Sequence, residues 1–373
     1  MSLIIFILIL VALIWVHELG HFSVAKFFGV RVDEFAIGFP PRLFTVQYGE
    51  TRYSLNLLLV GGYVRIYGEN PGEADDPRSL ARKNRGTQAA VMAAGVACNV
   101  LFAWLLMSGG YMAGLPAEYT PERYEYMQHT SAVTITGVLP GSPAERAGLK
   151  AGDEIGNIIT ASAECSFDEK CGPMIEPDIG SQGEGVQAFI QEHANESLIF
   201  SIHRGGEQLN ILVRAETGIV PDRKVVGIQM ADMGILKLPP HLALLEGAVV
   251  IKNVFVSTVL GLGGLIAGVF GGGADLNDIA GPIGIASIGA NAVQTGAVAT
   301  LLLTVLISIN LAVVNLLPIP GLDGGRLFIL LIESVIRRPI SQRLSTALTL
   351  GGFAFVILTF VLVSINDISR LVG

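Results

Sequence analysis

Four long apolar runs dominate this chain and limit what it can fold into. They cover residues 3–25, 88–111, 298–317 and 344–363 of a 373-residue sequence. A helix of about 20 apolar residues can cross the roughly 30 Å hydrocarbon core of a bilayer. Charged residues make up only 15% of the sequence, against about 25% in soluble domains. The sequence therefore predicts a polytopic α-helical membrane protein with four transmembrane helices.

A fifth apolar segment, residues 253–270, is interrupted by glycine and serine and is harder to place. Lys and Arg collect on the cytoplasmic side of membrane proteins, and segments 26–86 and 326–343 hold 13 of the 24 Lys and Arg residues. Both segments can be cytoplasmic only if the chain between the second and third spans begins and ends outside. We therefore interpret residues 242–270 as an interfacial or re-entrant helix, and we place both termini outside.

The region between the second span and this helix is acidic, with 18 Asp and Glu against 9 Lys and Arg in residues 117–241. Its patterns predict a strand, a short helix ending near Gly148, a second helix, and a hairpin across Gly205 and Gly206. These elements indicate one α+β module at about residues 130–218. The net charge of −8 argues against a nucleic-acid partner. The predicted division of the chain is 1–116, 117–241, 242–296 and 297–373.

Two of the three cysteines, Cys165 and Cys171, flank a short polar loop of this external region. They could form a disulfide in an oxidising compartment, and two free thiols are the alternative.

A weaker pattern lies between the first two spans. Residues 53–69 alternate around Gly61 and Gly62 and predict a β-hairpin. The segment is too apolar for an ordinary solvated loop, so we expect it at the membrane edge.

The first apolar run contains the sequence HELGH, residues 17–21. On a helix, residues i and i+4 share one face, so His17 and His21 converge on one metal ion while Glu18 lies beside it as general base. Ionisable side chains inside a span are costly and are therefore functional candidates. This spacing predicts a metal site within the membrane.

A catalytic zinc site usually has three protein ligands, so a third ligand must reach the same depth. The other histidines fall in the external region. Asp323 follows the third span, between a helix-breaking pair of prolines and two glycines, on the same side as HELGH. We predict it as the third ligand, with a helix cap as the alternative role; Glu333 is a weaker choice. Two imidazoles and a carboxylate suit one Zn²⁺.

Several motifs together resemble the site-2 protease family of intramembrane zinc metalloproteases, in its bacterial PDZ-containing branch. They are HELGH in the first span, AGVACNVLFA in the second, a PDZ-like module and NLLPIPGLDGG after the third. The resemblance implies a protease of the bacterial cytoplasmic membrane, with His17, His21 and Asp323 on zinc and Glu18 activating water. It also implies a single-span membrane substrate, such as an anti-sigma factor.

The same resemblance assigns further residues to substrate binding. In the family the second span carries an asparagine, matched here by Asn99, that helps to hold the substrate extended. VGGYV, residues 60–64, is similar to the family's membrane-associated hairpin, which pairs with an unwound substrate. The residues this implies for substrate binding are Asn99, Gly61, Gly62, Tyr63, Asn315, Pro318 and Pro320.

Two other functions are compatible with parts of the sequence. A membrane scaffold would use the PDZ-like module to recruit partners and keep a vestigial metal site. A zinc or proton transporter would use intramembrane His and Asp, although such proteins often carry internal repeats and none is found here. Within the protease reading, the PDZ-like module filters substrates, either by binding a peptide C-terminus or by excluding bulky outer domains.

Overall fold

The computed structural model describes residues 1–69, 76–118, 125–161, 182–220, 223–271, 281–338 and 340–372. These residues form two compact units. The first, called here the helical unit, combines Met1–Gly110 with His241–Gly373, and the second, the sheet unit, is Tyr111–Pro240. In the sequence, the sheet unit thus lies between the two segments that form the helical unit.

Helices make up most of the helical unit. Within the described residues they are α1 (Ser2–Phe27), α2 (Arg85–Ala113), α5 (Pro240–Gly271), α6 (Pro282–Thr295), α7 (Ala297–Leu316), α8 (Asp323–Ile336) and α9 (Gln342–Val372). The short α3 and α4 belong to the sheet unit. The four predicted spans correspond to α1, α2, α7 and α9, so these helices are confirmed.

The number of spans is less simple than the sequence predicted. Five helices, including α5, are long and apolar enough to cross a membrane. The Trp104 indole N–H on α2 donates to the Leu244 carbonyl at 2.9 Å, and the Thr258 hydroxyl donates to the Asn310 side chain of α7 at 3.1 Å. The two contacts lie fourteen residues apart on α5, or about 21 Å along the helix. Helix α5 therefore runs alongside α2 and α7 over most of the thickness of a membrane. These contacts favour a re-entrant or spanning α5 over an interfacial one.

Small residues let the helices approach closely near the start and the end of α1. A Cβ added to Gly20 would lie 2.4 Å from the Ala94 carbonyl oxygen of α2, and one added to Gly289 of α6 would lie 2.3 Å from the Phe6 ring. Glycine at such crossings is the usual way for membrane helices to pack without a hydrophobic driving force. These contacts fix α1, which carries HELGH, against α2 and α6.

The sequence GPIG, residues 281–284 at the start of α6, is held in place by a buried carboxylate of α9. Asp367 is 4% exposed and accepts backbone N–H groups of Gly281, Ile283 and Gly284 at 2.9–3.0 Å. The first N–H groups of a helix have no partner within it and attract negative charge. Asp367 therefore anchors the start of α6, a structural role that the sequence alone did not reveal.

Strands β1 (Val32–Tyr48) and β2 (Thr51–Ile66) follow α1 as one antiparallel pair. The predicted hairpin around Gly61 and Gly62 is wrong, because both glycines lie inside β2 and the turn falls at Gly49 and Glu50. The two glycines instead allow β2 to pack closely against β1. A Cβ on Gly61 would lie 2.5 Å from the Phe39 ring, and one on Gly62 would lie 3.0 Å from the Ala36 carbonyl oxygen.

The pair folds back on itself, so residues 34–37 of β1 are matched on both sides by β2: Glu34 lies opposite both Arg65 and Arg52. Residues 62–66 of β2 pair only with β1 among the described strands, which makes them an edge. Large apolar side chains of the pair are exposed, among them Phe39, Leu43, Phe44, Leu57 and Leu58. This exposure supports the expected position at the membrane edge.

The sheet unit holds a six-stranded sheet in the order β3-β10-β4-β5-β6-β7. These strands are β3 (Leu115–Glu118), β4 (Met127–Val138), β5 (Glu154–Thr160), β6 (Ser197–Arg204), β7 (Glu207–Arg214) and β10 (Ile228–Leu236), with a separate pair β8 (Glu216–Val220) and β9 (Arg223–Val225). Helices α3 (Pro143–Ala147) and α4 (Gln182–Glu192) complete the unit. The predicted hairpin across Gly205 and Gly206, both helices and the α+β class are confirmed.

Apolar side chains from both helices and the sheet form one core, including Ile135, Ile158, Val186, Phe200 and Ile202. The helix α3 ends as the sequence predicts, at Gly148, whose positive φ of 89° suits glycine. Cys165 and Cys171 lie outside the described residues.

Candidate metal centre

The two histidines of HELGH lie one turn apart on the same face of α1. Both are 7% exposed, and their Nε2 atoms are 3.2 Å apart. The helix that carries them is mostly apolar, so few polar groups can compete for these ring nitrogens. The predicted convergence of His17 and His21 is therefore present.

Asp323 completes the cluster from the first residue of α8. Its Oδ2 atom lies 3.0 Å from His17 Nε2 and 3.2 Å from His21 Nε2. The alternative role as a helix cap is not observed, since α8 has Leu322 at its N-cap and no side-chain capping bond. The carboxylate is directed at the imidazoles instead.

Two glycines after Asp323 allow this geometry. A Cβ on Gly324 would lie 2.3 Å from the Leu316 carbonyl oxygen, and one on Gly325 would lie 2.2 Å from the Ile319 carbonyl oxygen. Only glycine lets α8 turn back this tightly on the end of α7. The LDGG sequence thus forms a close-packed corner between α7 and α8. This corner places the Asp323 carboxylate beside His17 and His21 of α1.

The three donor atoms fit a zinc ion. They lie 3.0–3.2 Å from one another, and tetrahedral ligands at about 2.0–2.1 Å from zinc would be separated by roughly 3.3 Å. Within the described residues, these three are the group that could hold a metal. Two neutral imidazoles and one carboxylate also match zinc chemistry and leave a fourth position open.

Helix α2 contacts both imidazoles through residues 91, 95 and 99, which are spaced four residues apart. The Val91 carbonyl oxygen is 2.8 Å from His21 Nδ1, and the Asn99 amide nitrogen is 3.3 Å from His17 Nδ1. Gly95 lies between them, and a Cβ there would be 2.3 Å from His21 Nε2. Sequence reasoning missed Gly95, although its place one turn before Asn99 was an available signal.

Glu18 is half-buried between the metal cluster and strand β2. A Cβ on Gly62 would lie 3.5 Å from the Glu18 Cγ atom, and the backbone N–H of Val64 interacts with the Glu18 carboxyl group. The edge of β2 therefore runs beside the predicted general base. Gly62 therefore lies near Glu18, and its contact with substrate stays a prediction.

The other residues assigned to substrate binding are placed less directly. Gly61 and Tyr63 flank Gly62 in β2, where the Tyr63 ring stacks on Phe39 with centroids 6.3 Å apart. Asn315 is half-buried in the last turn of α7. Pro318 and Pro320 shape the corner that leads to Asp323. Among the described residues, no hydrogen bond joins any of these side chains to the cluster, and their contact with substrate stays a prediction.

One further residue near the site was not singled out from the sequence. Arg326 lies one turn after Asp323 on α8, where it pairs with Glu69 and interacts electrostatically with Glu18. Beside it, Leu327 packs against the apolar cluster at the base of β1 and β2. These contacts attach α8, which carries the third ligand, to the strand pair that borders the general base.

Comparison with known proteins identifies this arrangement. A sequence model of peptidase family M50 matches residues 5–359. The chain belongs to this family, the site-2 proteases. A Clostridium perfringens relative, provisionally named a zinc metalloprotease, is 34% identical over 362 residues, which cover 96% of this chain and 95% of the relative. The zinc metalloprotease RasP of Geobacillus kaustophilus is 28% identical over 434 residues, covering 99% of this chain and 98% of RasP.

The family membership agrees with the donor set. This site-2 protease is a zinc metalloprotease and a multi-pass membrane protein, with Zn²⁺ as its cofactor. The resemblance deduced from the sequence motifs is thereby confirmed at the level of the family.

Proposed function

We propose that this protein cleaves single-span membrane proteins within or next to their transmembrane helix. The observation that carries the proposal is the position of Glu18. It lies on an apolar helix, beside three side chains that could hold a metal ion and beside the part of β2 that pairs only with β1 among the described strands. A water molecule, a metal ion and an extended peptide could therefore meet at one point in the membrane.

In this mechanism His17, His21 and Asp323 would hold zinc, which as a Lewis acid would lower the pKa of a bound water molecule toward neutrality. Glu18 accepts the proton from the attacking water at its carboxylate. It then donates that proton to the amide nitrogen of the leaving peptide. The apolar surroundings of α1 exclude bulk water. Electrostatic interactions between the Glu18 carboxylate and nearby groups would therefore be stronger than in water.

The edge of β2 offers a way to present the peptide. A helical substrate hides its carbonyl groups in internal hydrogen bonds, so it must unwind before attack. Residues 62–66 are paired with β1 on one side only, and an extended peptide could add to the other side through backbone hydrogen bonds. Gly62 and Val64 would then place the peptide beside Glu18.

The test is the Glu18→Gln variant, which is nearly isosteric and cannot take up the proton. We expect it to bind zinc like the wild type and to lose cleavage of a co-expressed single-span substrate. Cleavage that persists in this variant would rule out Glu18 as the base. Zinc content measured on the same preparation separates this result from loss of the metal.

We also propose that the protein lies in the bacterial cytoplasmic membrane with both termini and the sheet unit outside. The basic segments 26–86 and 326–343 support this orientation, which puts the metal centre toward the cytoplasmic side. Alkaline phosphatase fused after residue 218 should be active, whereas a fusion after residue 338 should be inactive. The opposite pattern would reverse the orientation.

The sheet unit is proposed as a PDZ-like substrate filter. Its order of strands and its short helices α3 and α4 support a compact binding module, and the acidic composition of residues 117–241 distinguishes this region from the basic segments 26–86 and 326–343. Deletion of residues 130–218 tests the role. Unrestrained cleavage of intact substrates would favour exclusion of bulky outer domains, and loss of cleavage would favour recruitment through a peptide C-terminus. An anti-sigma factor is the substrate class to examine first.

A further inference from the structure

We propose that Asn99 positions the metal ligand His17 by accepting a hydrogen bond from its Nδ1–H through the side-chain oxygen. The inference rests on the assignment of His17, His21 and Asp323 as zinc ligands. In this proposal, residues 91 and 99 of α2 hold the proton of each histidine on Nδ1, and both Nε2 atoms are then free to bind the metal.

His21 shows what the site requires. Its Nδ1 atom is 2.8 Å from the Val91 carbonyl oxygen, and that oxygen can only accept a hydrogen bond. The proton of neutral His21 must therefore lie on Nδ1, which leaves the lone pair on Nε2 free. This Nε2 is the atom that faces His17 and Asp323. Partners of this kind orient metal-ligating histidines and raise their basicity.

His17 has the same requirement but a different neighbour. Its Nε2 faces Asp323 at 3.0 Å, so Nδ1 must carry the proton when Nε2 binds a metal. The group facing Nδ1 is the Asn99 side chain, whose nitrogen lies 3.3 Å away. An amide NH₂ cannot accept a proton, so two donors would face each other.

The Asn99 oxygen is the acceptor that is missing. Asn99 is 0% exposed, and its Oδ1 atom is buried without a hydrogen-bond partner. The two ends of a carboxamide have nearly the same shape, and hydrogen bonding decides which end faces a neighbour. A half-turn of the amide brings Oδ1 to His17 Nδ1 and gives the orphaned oxygen its partner.

The setting of Asn99 favours this role. Residues 91, 95 and 99 form a stripe along one face of α2, and Gly95 keeps the space between the two contacts open. The Ser308 hydroxyl of α7 donates to the Asn99 backbone carbonyl at 2.9 Å, which joins the two helices at this level. In this geometry the buried side chain acts on His17, a role distinct from the substrate contact that the family resemblance implies.

The experiment compares zinc affinity in the full-length protein, measured by competition with a chelator. All variants carry Glu18→Gln, so that proteolysis plays no part in the result. Asn99→Leu removes the acceptor at similar volume, Asn99→Asp keeps an acceptor, and Ser108→Ala changes another buried polar side chain of α2. Loss of such a partner typically lowers metal affinity by about 10- to 100-fold.

We expect a loss of that size in Asn99→Leu, with affinity kept in Asn99→Asp and Ser108→Ala. Equal affinity in Asn99→Leu and the Glu18→Gln parent protein would overturn the proposal, as would equal losses in Asn99→Leu and Asn99→Asp. Nitrogen-15 histidine spectra of the zinc-loaded protein give a second reading. They should show an exchange-protected Nδ1–H on His17 that disappears in Asn99→Leu, and its absence in the parent protein would also overturn the proposal.

Discussion

The helical unit holds a half-buried carboxylate and the sheet unit a fully buried one, and the two carboxylates have different partners. Asp323 in the helical unit faces two imidazoles that are neutral when they bind zinc. Asp153 in the sheet unit is 1% exposed and meets the Arg204 guanidinium through two bonds of 2.6 Å. The negative charge of Asp323 is not balanced by neutral imidazoles and can be balanced by a bound cation. The negative charge of Asp153 is already balanced by the positive charge of Arg204.

This difference follows from what surrounds each unit. The sheet unit can hold itself together with an apolar core in water, so its buried polar groups need only satisfy one another. In the helical unit, lipid offers no hydrophobic driving force between helices, and buried ionisable groups are costly. We therefore expect substitutions beside Asp323 to lower zinc binding and cleavage. Substitutions beside Asp153 should instead lower the stability of the sheet unit.

The largest expected effect is at Gly95. Gly95→Ala places a methyl group within 2.3 Å of His21 Nε2 and should push the imidazole away from the zinc position. A displacement of about 1 Å in an active site can lower the rate about 100-fold, so we expect at least that loss of cleavage, together with loss of zinc. Cleavage of a single-span substrate and zinc content of the purified protein measure both.

Gly109→Ala is the matched control, because it lies on the same helix and a Cβ there meets nothing within 4 Å. It should keep zinc and activity. If Gly95→Ala retained both as well, the close fit of α2 against the histidines would not matter to the site.

Gly95 also shows where sequence reasoning stops. HELGH and Asp323 could be predicted, because helical spacing and the number of crossings place all three ligands at one depth. The sequence shows that Gly95 and Asn99 lie one turn apart on α2. It does not show how closely α2 approaches the two histidines, because that distance depends on helix packing and not on a local pattern. The pair Gly61-Gly62 misled for a related reason: glycine marks both turns and close contacts, and here Phe39 and Ala36 occupy the space.

The sheet unit should respond to Asp153→Ala mainly in stability. Breaking a buried ion pair costs about 3–5 kcal/mol, and we expect about 3 kcal/mol because Arg204 is partly exposed. Hydrogen exchange of the sheet unit in the full-length protein measures the change. Glu216→Ala is the control, since its pair with Arg146 is exposed on both sides, and it should cost less than about 1 kcal/mol.

The same pair predicts a pH dependence of the sheet unit. Burial alone would raise the pKa of Asp153, but hydrogen bonds from Arg204 and the Lys150 backbone outweigh it and the pKa lies below the ordinary value. Asp153 therefore stabilises the unit above about pH 4, the pKa of an unfolded aspartate, and this contribution is lost as pH falls through the lower folded pKa. A sheet unit of Asp153→Ala that lost as much stability in acid as the wild type would exclude this origin.

Asp367 is a second carboxylate of the helical unit, but it binds backbone N–H groups and not the imidazoles. It therefore tests whether the difference lies in the unit or in the partners of the carboxylate. Asp367→Ala leaves three backbone N–H groups of α6 without their acceptor, and an unsatisfied buried donor costs about 1–3 kcal/mol. We expect a lower melting temperature in detergent and unchanged zinc content. Ser364→Ala on the same helix should melt like the wild type. Loss of zinc in Asp367→Ala would show that α6 supports the metal centre.

The smallest expected effect is at Ser142, which caps the short helix α3 of the sheet unit. Its side-chain oxygen accepts the Glu145 backbone N–H at 3.2 Å, so Ser142→Ala removes one cap at a typical cost of about 1 kcal/mol. Hydrogen exchange of the sheet unit should show this loss, while Ser201→Ala on strand β6, an exposed hydroxyl paired with Asn210, should show almost none. Zinc content should be the same in both variants, because α3 belongs to the sheet unit and the three proposed metal ligands belong to the helical unit. A loss of zinc with Ser142→Ala would mean that the sheet unit influences the metal centre, and the contrast between a chemical unit and a structural one would no longer hold.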